Sequence, residues 1–348
     1  MLFVKMIRTE ARKYNIWRRR MKAVIIEQFG GPEQLIYTDM PKPVPQGDEI
    51  LVRNEMIGVG KPDYLMRSGN DPYLRDKLPL IVGNESAGIV EAVGPDVKHI
   101  RVGDAVSVLN GTGCGSHAEY SCAQERFALV LPKGLSPAQV PGVLNLQVAY
   151  ALLNDVGRGT DGQSLYISGA AGGIGTTLIQ MAKAKGMDVV ASASTDEKCA
   201  VLRSIGADCV FNYKTADVRE TILNHTNGRG VDLIYDQLCG PDFAKQFDYL
   251  ADFGQIVLYN WLKGSPELDQ LDTIVKRAWH GNAIRAFSFH AFDDKRERRI
   301  ANAEKCFQMV LDGQVKPVVD CVLPLSEARQ AHERLDSGKA IGKIVLKP

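Results

Sequence analysis

The sequence predicts an α/β protein of two domains, a β-rich region followed by a doubly wound parallel sheet. Three observations carry that reading. The chain has 348 residues, about twice the usual domain unit. Residues 21–132 read as short apolar runs punctuated by Pro and Gly. From about Pro137 the hydrophobic period changes, and strand and helix patterns then alternate every ~25 residues, as right-handed β/α crossovers require.

MKAVIIEQF and QLIYTDM open the β-rich region, and Pro41, Pro43 and Pro45 separate them from DEILVRNEMIGVG. SAGIVEAVG, DAVSVL, SHAEYSCA and ALVLP continue the strand pattern. LNLQVAYALLNDV has helical spacing; QSLYISG is a buried-strand run, and after a Gly-rich turn TTLIQMAKAKG is a helix closing on Gly186. The alternation continues through DVVASAS, EKCAVLRSIG, DCVFNY, VRETILNHT, VDLIYDQL, FAKQFDYLA, QIVLYN, TIVKRAWHG and IRAFSFHA. A helix, RRIANAEKCFQMVLDG, then precedes two further strands in VVDCVLP and GKIVLKP.

Hydrophobic residues make up 45% of the chain and charged residues 24%, the balance of an ordinary globular protein. No run approaches the ~20 apolar residues of a membrane helix, so no membrane association is expected. With 42 Lys and Arg against 41 Asp and Glu, there is no whole-protein footprint for nucleic acid. The sum hides a basic leader: residues 1–20 carry seven cations and one acid, and the remaining 328 residues stand at −5. That leader reads as an extension ahead of Met21, as a mitochondrial-type presequence or as a surface arm. Seven scattered cysteines without a C-x-x-C pair suit a reducing compartment, so the expected location is cytoplasmic, or mitochondrial if the leader is a presequence.

SLYISGAAGGIGTTLIQMAKAKG places Gly172, Gly173 and Gly175 between a predicted strand and a predicted helix. Small residues there let the backbone approach a pyrophosphate while helix N–H groups face it. The next strand, DVVASAS, is where an NAD enzyme presents a carboxylate to the ribose 2′-hydroxyl. This chain offers Ser192 and Ser194 there, with Lys198 behind them and Tyr213 as a wall for the adenine. Hydroxyls and an ammonium bind a 2′-phosphate that a carboxylate would repel, so NADPH is the expected cofactor.

These residues resemble a known family. LPLIVGNESAGIVEAVGPDVKHIRVGDAVS is similar to the signature of the medium-chain dehydrogenases/reductases, and SGAAGGIG, STDEK, GAD and GVDLIYD resemble its quinone oxidoreductase, or zeta-crystallin-like, branch. The resemblance spans residues 21–348. It implies a GroES-like substrate domain in residues 21–148 and 288–348, a Rossmann domain in 149–287 behind the leader 1–20, a cleft holding NADPH, and a homodimer joined through the Rossmann domains. The family's cofactor contacts fall on Val148, Gly172, Gly173, Ile174, Ser194, Lys198, Tyr213 and Lys343; Ala171, Ser192 and Tyr259 complete the candidate set. Several positions depart from the family pattern: Gly60 stands where an Asn precedes the substrate-side Asp63, Leu65 replaces a Tyr with Tyr64 adjacent, and Val148 replaces a Thr. Tyr73 matches the family's S-G-x-Y tyrosine through a two-residue insertion in SGNDPY.

Zinc-dependent relatives need Cys, His and a further ligand with one open position. Here Asn84 replaces the His, GVGKPDYL has no Cys, and His117 with Cys114 lacks a third ligand, so no metal is expected. Without a Lewis acid, an acceptor that delocalises its incoming electrons fits best. The resemblance therefore implies an NADPH-dependent quinone reductase, the alternatives being a reductase of activated alkenes (enones, enals or 2-enoyl thioesters) and a non-enzymatic crystallin-like or RNA-binding role. Tyr64 and Tyr73 are the candidates to line the acceptor site or donate a proton, against the plainer reading as amphipathic wall residues. His280, His290 and Trp279 read as packing or interface residues.

Overall fold

The computed structural model describes residues 20–71, 77–109, 115–265 and 270–348. The leader up to residue 19, Tyr73 and Cys114 lie outside the described residues. The chain divides into two units, one running to Val143 and resuming at Val319–Pro348, the other Leu144–Val318.

In chain order the first unit contributes β1 (Arg20–Ile26), β2 (Ile36–Pro41), β3 (Glu49–Val59), α1 (Lys61–Ser68), β4 (Leu80–Ile81), β5 (Glu85–Val93), β6 (Ala105–Leu109), β7 (Tyr120–Gln124) and β8 (Ala128–Val130). The second unit opens with α2 (Val143–Tyr150), continued by a π-helical turn over Ala151–Val156. It proceeds through β9 (Ser164–Ile167), α3 (Gly173–Ala184), β10 (Asp188–Ala193), α4 (Asp196–Ser204), β11 (Cys209–Asn212), α5 (Val218–His225), β12 (Val231–Asp236), β13 (Leu250–Leu258), α6 (Gln270–Lys276), β14 (Ala283–Ala286) and α7 (Arg296–Leu311). The chain then returns to the first unit with β15 (Val319–Pro324), α8 (Ala328–Asp336) and β16 (Lys343–Lys347).

The first unit carries a three-stranded sheet, β2-β1-β4, and a seven-stranded one in which β15-β16-β3-β5-β6-β8 run in order and β7 pairs with β3. Period-2 alternation explains the long strands: Ile50 and Val52 point into one core with Val90, Val106, Val108 and Ala123, while Ile57 and Val59 enter a second with Val24, Met66, Ala331 and Leu346. The second unit is a six-stranded parallel sheet ordered β11-β10-β9-β12-β13-β14. That is the doubly wound order, with the topological switch between β9 and β12. β9 and β12 lie at its centre, and every residue of β9 is buried, as a strand covered on both faces must be.

The return to the first unit comes at Val319, where the sequence reading set it at 288. The reason lies in α7, which buries Arg299, Ala303, Cys306 and Phe307 and bonds the Cys306 thiol to the Leu146 carbonyl at 3.4 Å inside the second unit. The first crossing likewise falls at residue 143 and not 148, because α2 belongs to the second unit almost from its first residue.

Candidate functional site

The second unit builds its candidate site on the turn between β9 and α3. Gly172 caps the helix with extended backbone and no side chain. A Cβ on Gly175 would lie 2.3 Å from the Ala170 carbonyl oxygen, which shuts that position to a larger residue, and one on Gly173 would lie 2.0 Å from the Asn145 amide, whose side chain would have to move. At Gly172 a Cβ would meet nothing within 4 Å. The turn is thus closed on its protein side and open at the cap, where the first N–H groups of a 12-residue helix have no intrahelical acceptor. Thr176 and Thr177 turn their hydroxyls back to the carbonyls of Gly172 and Gly173 at 3.1 and 2.8 Å. Ala171 is buried and Ile174 half-buried in the same turn.

Two side chains missed by the sequence reading hold this turn in place. Asp236, 1% exposed at the end of β12, accepts hydrogen bonds from Ser168 Oγ at 2.8 Å, Leu238 N at 2.8 Å, Cys239 N at 3.1 Å and Gln246 Nε2 at 2.6 Å. Gln237 donates to the Gly169 carbonyl at 2.6 Å. The signal for both was their place in YDQL: they follow a predicted central strand at its carboxyl end, where open α/β sheets bind ligands.

At the far end of the turn Ser192 is fully buried, its hydroxyl 2.8 Å from Tyr166 Oη and accepting from Gly169 N at 3.4 Å. It therefore ties β10 to the turn. Ser194 follows β10, and Thr195 caps α4 by accepting from Lys198 N at 3.3 Å. Lys198 is 9% exposed on that first turn. Asp196, on the same first turn, accepts from Asn212 Nδ2 at 3.0 Å. Tyr213 is half-buried after β11, its N–H bonded to the Ala193 carbonyl at 3.1 Å. Val148 is buried on α2. Tyr259 follows β13; its buried hydroxyl has no hydrogen-bond partner, and burial pushes its pKa up. The turn at Gly169–Gly175 and the ends of β10 and β11 thus carry most of the predicted cofactor set within one unit.

In the first unit the sequence candidates lie around the start of α1. Asp63, 1% exposed, accepts from Gly60 N at 2.7 Å and from Asn84 N at 2.9 Å. Burial pushes its carboxyl up to about 7, opposed by the Lys343 ammonium and the two N–H donors. Lys343 forms a buried ion pair with Glu85, the two side chains 7% and 4% exposed. Its ammonium is thereby engaged within the first unit, and its predicted cofactor role would have to act beside that pair. Tyr64 is half-buried, with the Lys61 ammonium 3.7 Å and the Arg67 guanidinium 5.6 Å from its ring centre.

His117 packs in the interior against His332, their Nε2 atoms 3.3 Å apart and neither Nδ1 bonded. Burial holds His117 down to about 3 and His332 well below the usual imidazole value. Among the described residues no three His, Cys, Asp or Glu side chains gather as a metal would require, and Asn84 offers an amide where a zinc enzyme has imidazole. Among the described residues the donor set does not fit catalytic zinc.

Comparison with known proteins agrees with this geometry. Residues 46–133 match the family described as alcohol dehydrogenase GroES-like domain, and residues 205–346 match that described as zinc-binding dehydrogenase. The quinone oxidoreductase of Sus scrofa is 30% identical over 94% of this chain and 98% of its own length. A 2-haloacrylate reductase of Burkholderia sp is 29% identical over 94% of this chain and 98% of its own. Among solved structures, the Escherichia coli quinone oxidoreductase complexed with NADPH superposes with a TM-score of 0.86 at 28% identity, covering 94% of this chain and all of that one. Fold, turn and relatives together show that the chain belongs to the quinone oxidoreductase family of the medium-chain dehydrogenases/reductases.

Proposed function

We propose that this chain is an NADPH-dependent oxidoreductase that reduces quinones without catalytic zinc. The observation that carries the reading is the β9–α3 turn, open at Gly172, crowded by the Asn145 amide at Gly173, closed by backbone at Gly175, and held by Asp236 and Gln237. Residues of this kind fit a dinucleotide pyrophosphate. The relatives named quinone oxidoreductase, and the NADPH complex of one of them, support the cofactor and the acceptor class.

When bound, NADPH supplies the hydride; the protein supplies position and charge. The N–H groups of Gly173 and Ile174 take the pyrophosphate, and Ser194, Lys198 and Tyr213 take the 2′-phosphate end, where the strand end offers hydroxyls in place of a carboxylate. Val148 and Tyr259 wall the nicotinamide side, and Ala171 and Ser192 shape the turn from within. In the first unit Tyr64 is the candidate to donate the proton that completes reduction; Tyr73, outside the described residues, is the other candidate, and solvent the third source. A quinone spreads the incoming negative charge onto oxygen, so no Lewis acid is required.

The similarity to a 2-haloacrylate reductase supports activated alkenes as the second acceptor class. NADPH consumption with an ortho-quinone, run beside NADH and beside an enone, decides between them. Fast, NADPH-selective turnover of the quinone is expected. Turnover of the enone alone would replace the quinone reading, and equal use of NADH would remove the 2′-phosphate assignment.

We further propose a homodimer joined at β14. That strand ends the six-stranded sheet, all four of its residues are exposed, and it leaves one row of backbone groups unpaired. Exposed Ile284, Phe253 and Trp279 on or near that edge support a covered face. A sedimenting mass of twice 38.2 kDa is expected, and a mass of 38.2 kDa overturns the dimer. A body at −5 supports no nucleic-acid partner. No described helix is long and apolar enough to cross a membrane. The six described cysteines are free thiols, which supports a cytoplasmic location, or a mitochondrial one if residues 1–20 act as a presequence.

A further inference from the structure

We propose that the second unit carries a second small-molecule site, away from the dinucleotide turn, that takes a flat aromatic carboxylate; the inference does not depend on which acceptor is reduced. A cavity of about 360 Å³ opens between the π-helical turn that follows α2, the last turn of α3 and the carboxyl half of α7. That volume falls within the roughly 300–1,000 Å³ of small-ligand sites. Its position separates it from the cofactor. Ala184, on the rim, ends the 12-residue α3 that starts at Gly173, so about 16 Å of helix rise lies between the cavity and the β9–α3 turn. From that end of α3 the chain enters β10 at Asp188, which places the cavity at the opposite edge of the sheet from the pyrophosphate turn.

The π-helical turn shapes the floor. Gly157 N reaches back to the Leu152 carbonyl at 2.8 Å, and the Asn154 amide donates to the Tyr150 carbonyl at 3.0 Å. Widened turns of this kind are rare and gather at functional sites. Here the turn brings Tyr150 and Leu153 to the cavity beside Met181 of α3 and Met309 of α7. A phenol ring, a branched alkyl group and two thioethers make an apolar, polarisable floor, and thioethers adapt to an aromatic ring and attract it.

The rim decides the sign of the ligand. Lys185 Nζ donates to Asn154 Oδ1 at 2.8 Å, and Lys305 is exposed on α7; among the described residues neither ammonium is paired with a carboxylate. Asp312, the carboxylate at the rim, already accepts from Gln308 Nε2 at 2.7 Å. The carbonyls that end α3 are taken as well. Ala182 O accepts from Lys185 N and Met187 N, each at 3.1 Å, and Lys183 O accepts from Gly186 N at 3.0 Å. Two ammonium groups beside an apolar floor therefore suit an anion on a flat body, because a carboxylate makes the stronger, charge-assisted bond to an ammonium.

The test is calorimetric titration of the full chain with 2-naphthoate and with its neutral counterpart 2-naphthamide. Naphthoate should bind one equivalent with a Kd below about 1 mM, and the amide at least about threefold more weakly. Lys305→Gln should weaken naphthoate about two- to fivefold, the scale of an exposed ion pair, and leave the amide unchanged. Ala184→Trp, at an exposed helix end, should fill the cavity and abolish binding of both, while the KM for NADPH stays within about twofold. With methionine methyl groups labelled, the Met181 and Met309 signals, assigned through Met181→Leu and Met309→Leu, should move as naphthoate is added to the wild-type protein; this reading holds even where Ala184→Trp does not fold. Saturating NADPH should not displace naphthoate. Displacement by NADPH, equal binding of acid and amide, methyl signals that stay still, or an affinity indifferent to Lys305→Gln would each overturn the proposal. So would the absence of binding at about 5 mM naphthoate.

Discussion

In the second unit the groups proposed to meet the dinucleotide are, Lys198 apart, mostly backbone N–H groups and hydroxyls, whereas the first unit gathers charges in its interior. The Gly-rich turn presents atoms that do not titrate, and its one buried carboxylate, Asp236, accepts from four donors. The first unit buries Asp63, the Glu85–Lys343 pair, the Arg67 guanidinium paired with exposed Asp336, and the two imidazoles of His117 and His332. A site made of backbone tolerates changes of pH and loses function when its space is filled. A site made of buried charge responds to pH and to the removal of any single partner.

The sharpest way to break that contrast is Lys343→Met. It leaves Glu85 inside the sheet without its ammonium, and losing one partner of a buried pair costs about 3–5 kcal/mol. Urea unfolding should show that loss, and Glu85→Gln combined with Lys343→Met should recover more than half of it. A loss below about 1 kcal/mol, the scale of an exposed pair, would erase the distinction between the units.

Next in size is a pH effect at Asp63. Its folded carboxyl lies near 7, above the usual carboxylate value, so between about pH 4 and 7 the unfolded chain has released a proton that the folded chain keeps. Asp63 therefore removes stability as pH rises through that window. His117 and His332 act with the opposite sign. Both are held neutral when folded, so the unfolded chain binds more protons below about 6.5, and stability falls as the pH drops from there. Asp63→Asn removes the first slope and keeps the second. Stability should then climb more steeply with pH between about 4.5 and 6, by close to one proton, or about 1.4 kcal/mol per pH unit. An unchanged slope in denaturant titrations would show that Asp63 is already ionised when folded.

The parallel sheet was legible because its strands are continuous apolar runs and its helices end on glycines such as Gly186, so each element declares itself locally. The phosphate turn was legible for the same reason. Two helices of the first unit were not. The first, α1, is eight residues behind Gly60, too short for a periodic signal, and it is held by the Asp63 back-bond to Gly60 N. The second, α8, buries Ala331 and His332 through contacts far away in sequence. Asp236 and Gln237 were missed because their importance lies in loops that meet only once the sheet has formed. The domain boundary was missed at α7 because its buried face looks like that of any amphipathic helix, whichever unit it covers.

Lys198 sharpens the comparison within the second unit, as the single charge assigned to the cofactor. Lys198→Ala should weaken NADPH binding by about 1.5–3 kcal/mol, the range for a charge-assisted hydrogen bond, and leave NADH nearly unchanged. Isothermal titration with both cofactors reads the difference. An equal loss for both would mean that α4, in which Lys198 is buried, had been disturbed in place of a phosphate contact.

The smallest expected effect separates those two outcomes. Thr195 caps α4 by accepting from the backbone N–H of Lys198, so its hydroxyl fixes the first turn without touching the ammonium. Thr195→Ala should cost about 1 kcal/mol of stability, read as a fall of roughly 2–4 °C in Tm. If the cap serves only the helix, NADPH and NADH should weaken together and slightly. If it also aims Lys198, the loss should fall on NADPH, and Thr195→Ser, which keeps the hydroxyl, should restore both Tm and selectivity. NADPH selectivity would then depend on a neutral hydroxyl that orders the backbone, the device that builds the rest of this unit's site, with one charge added at its end.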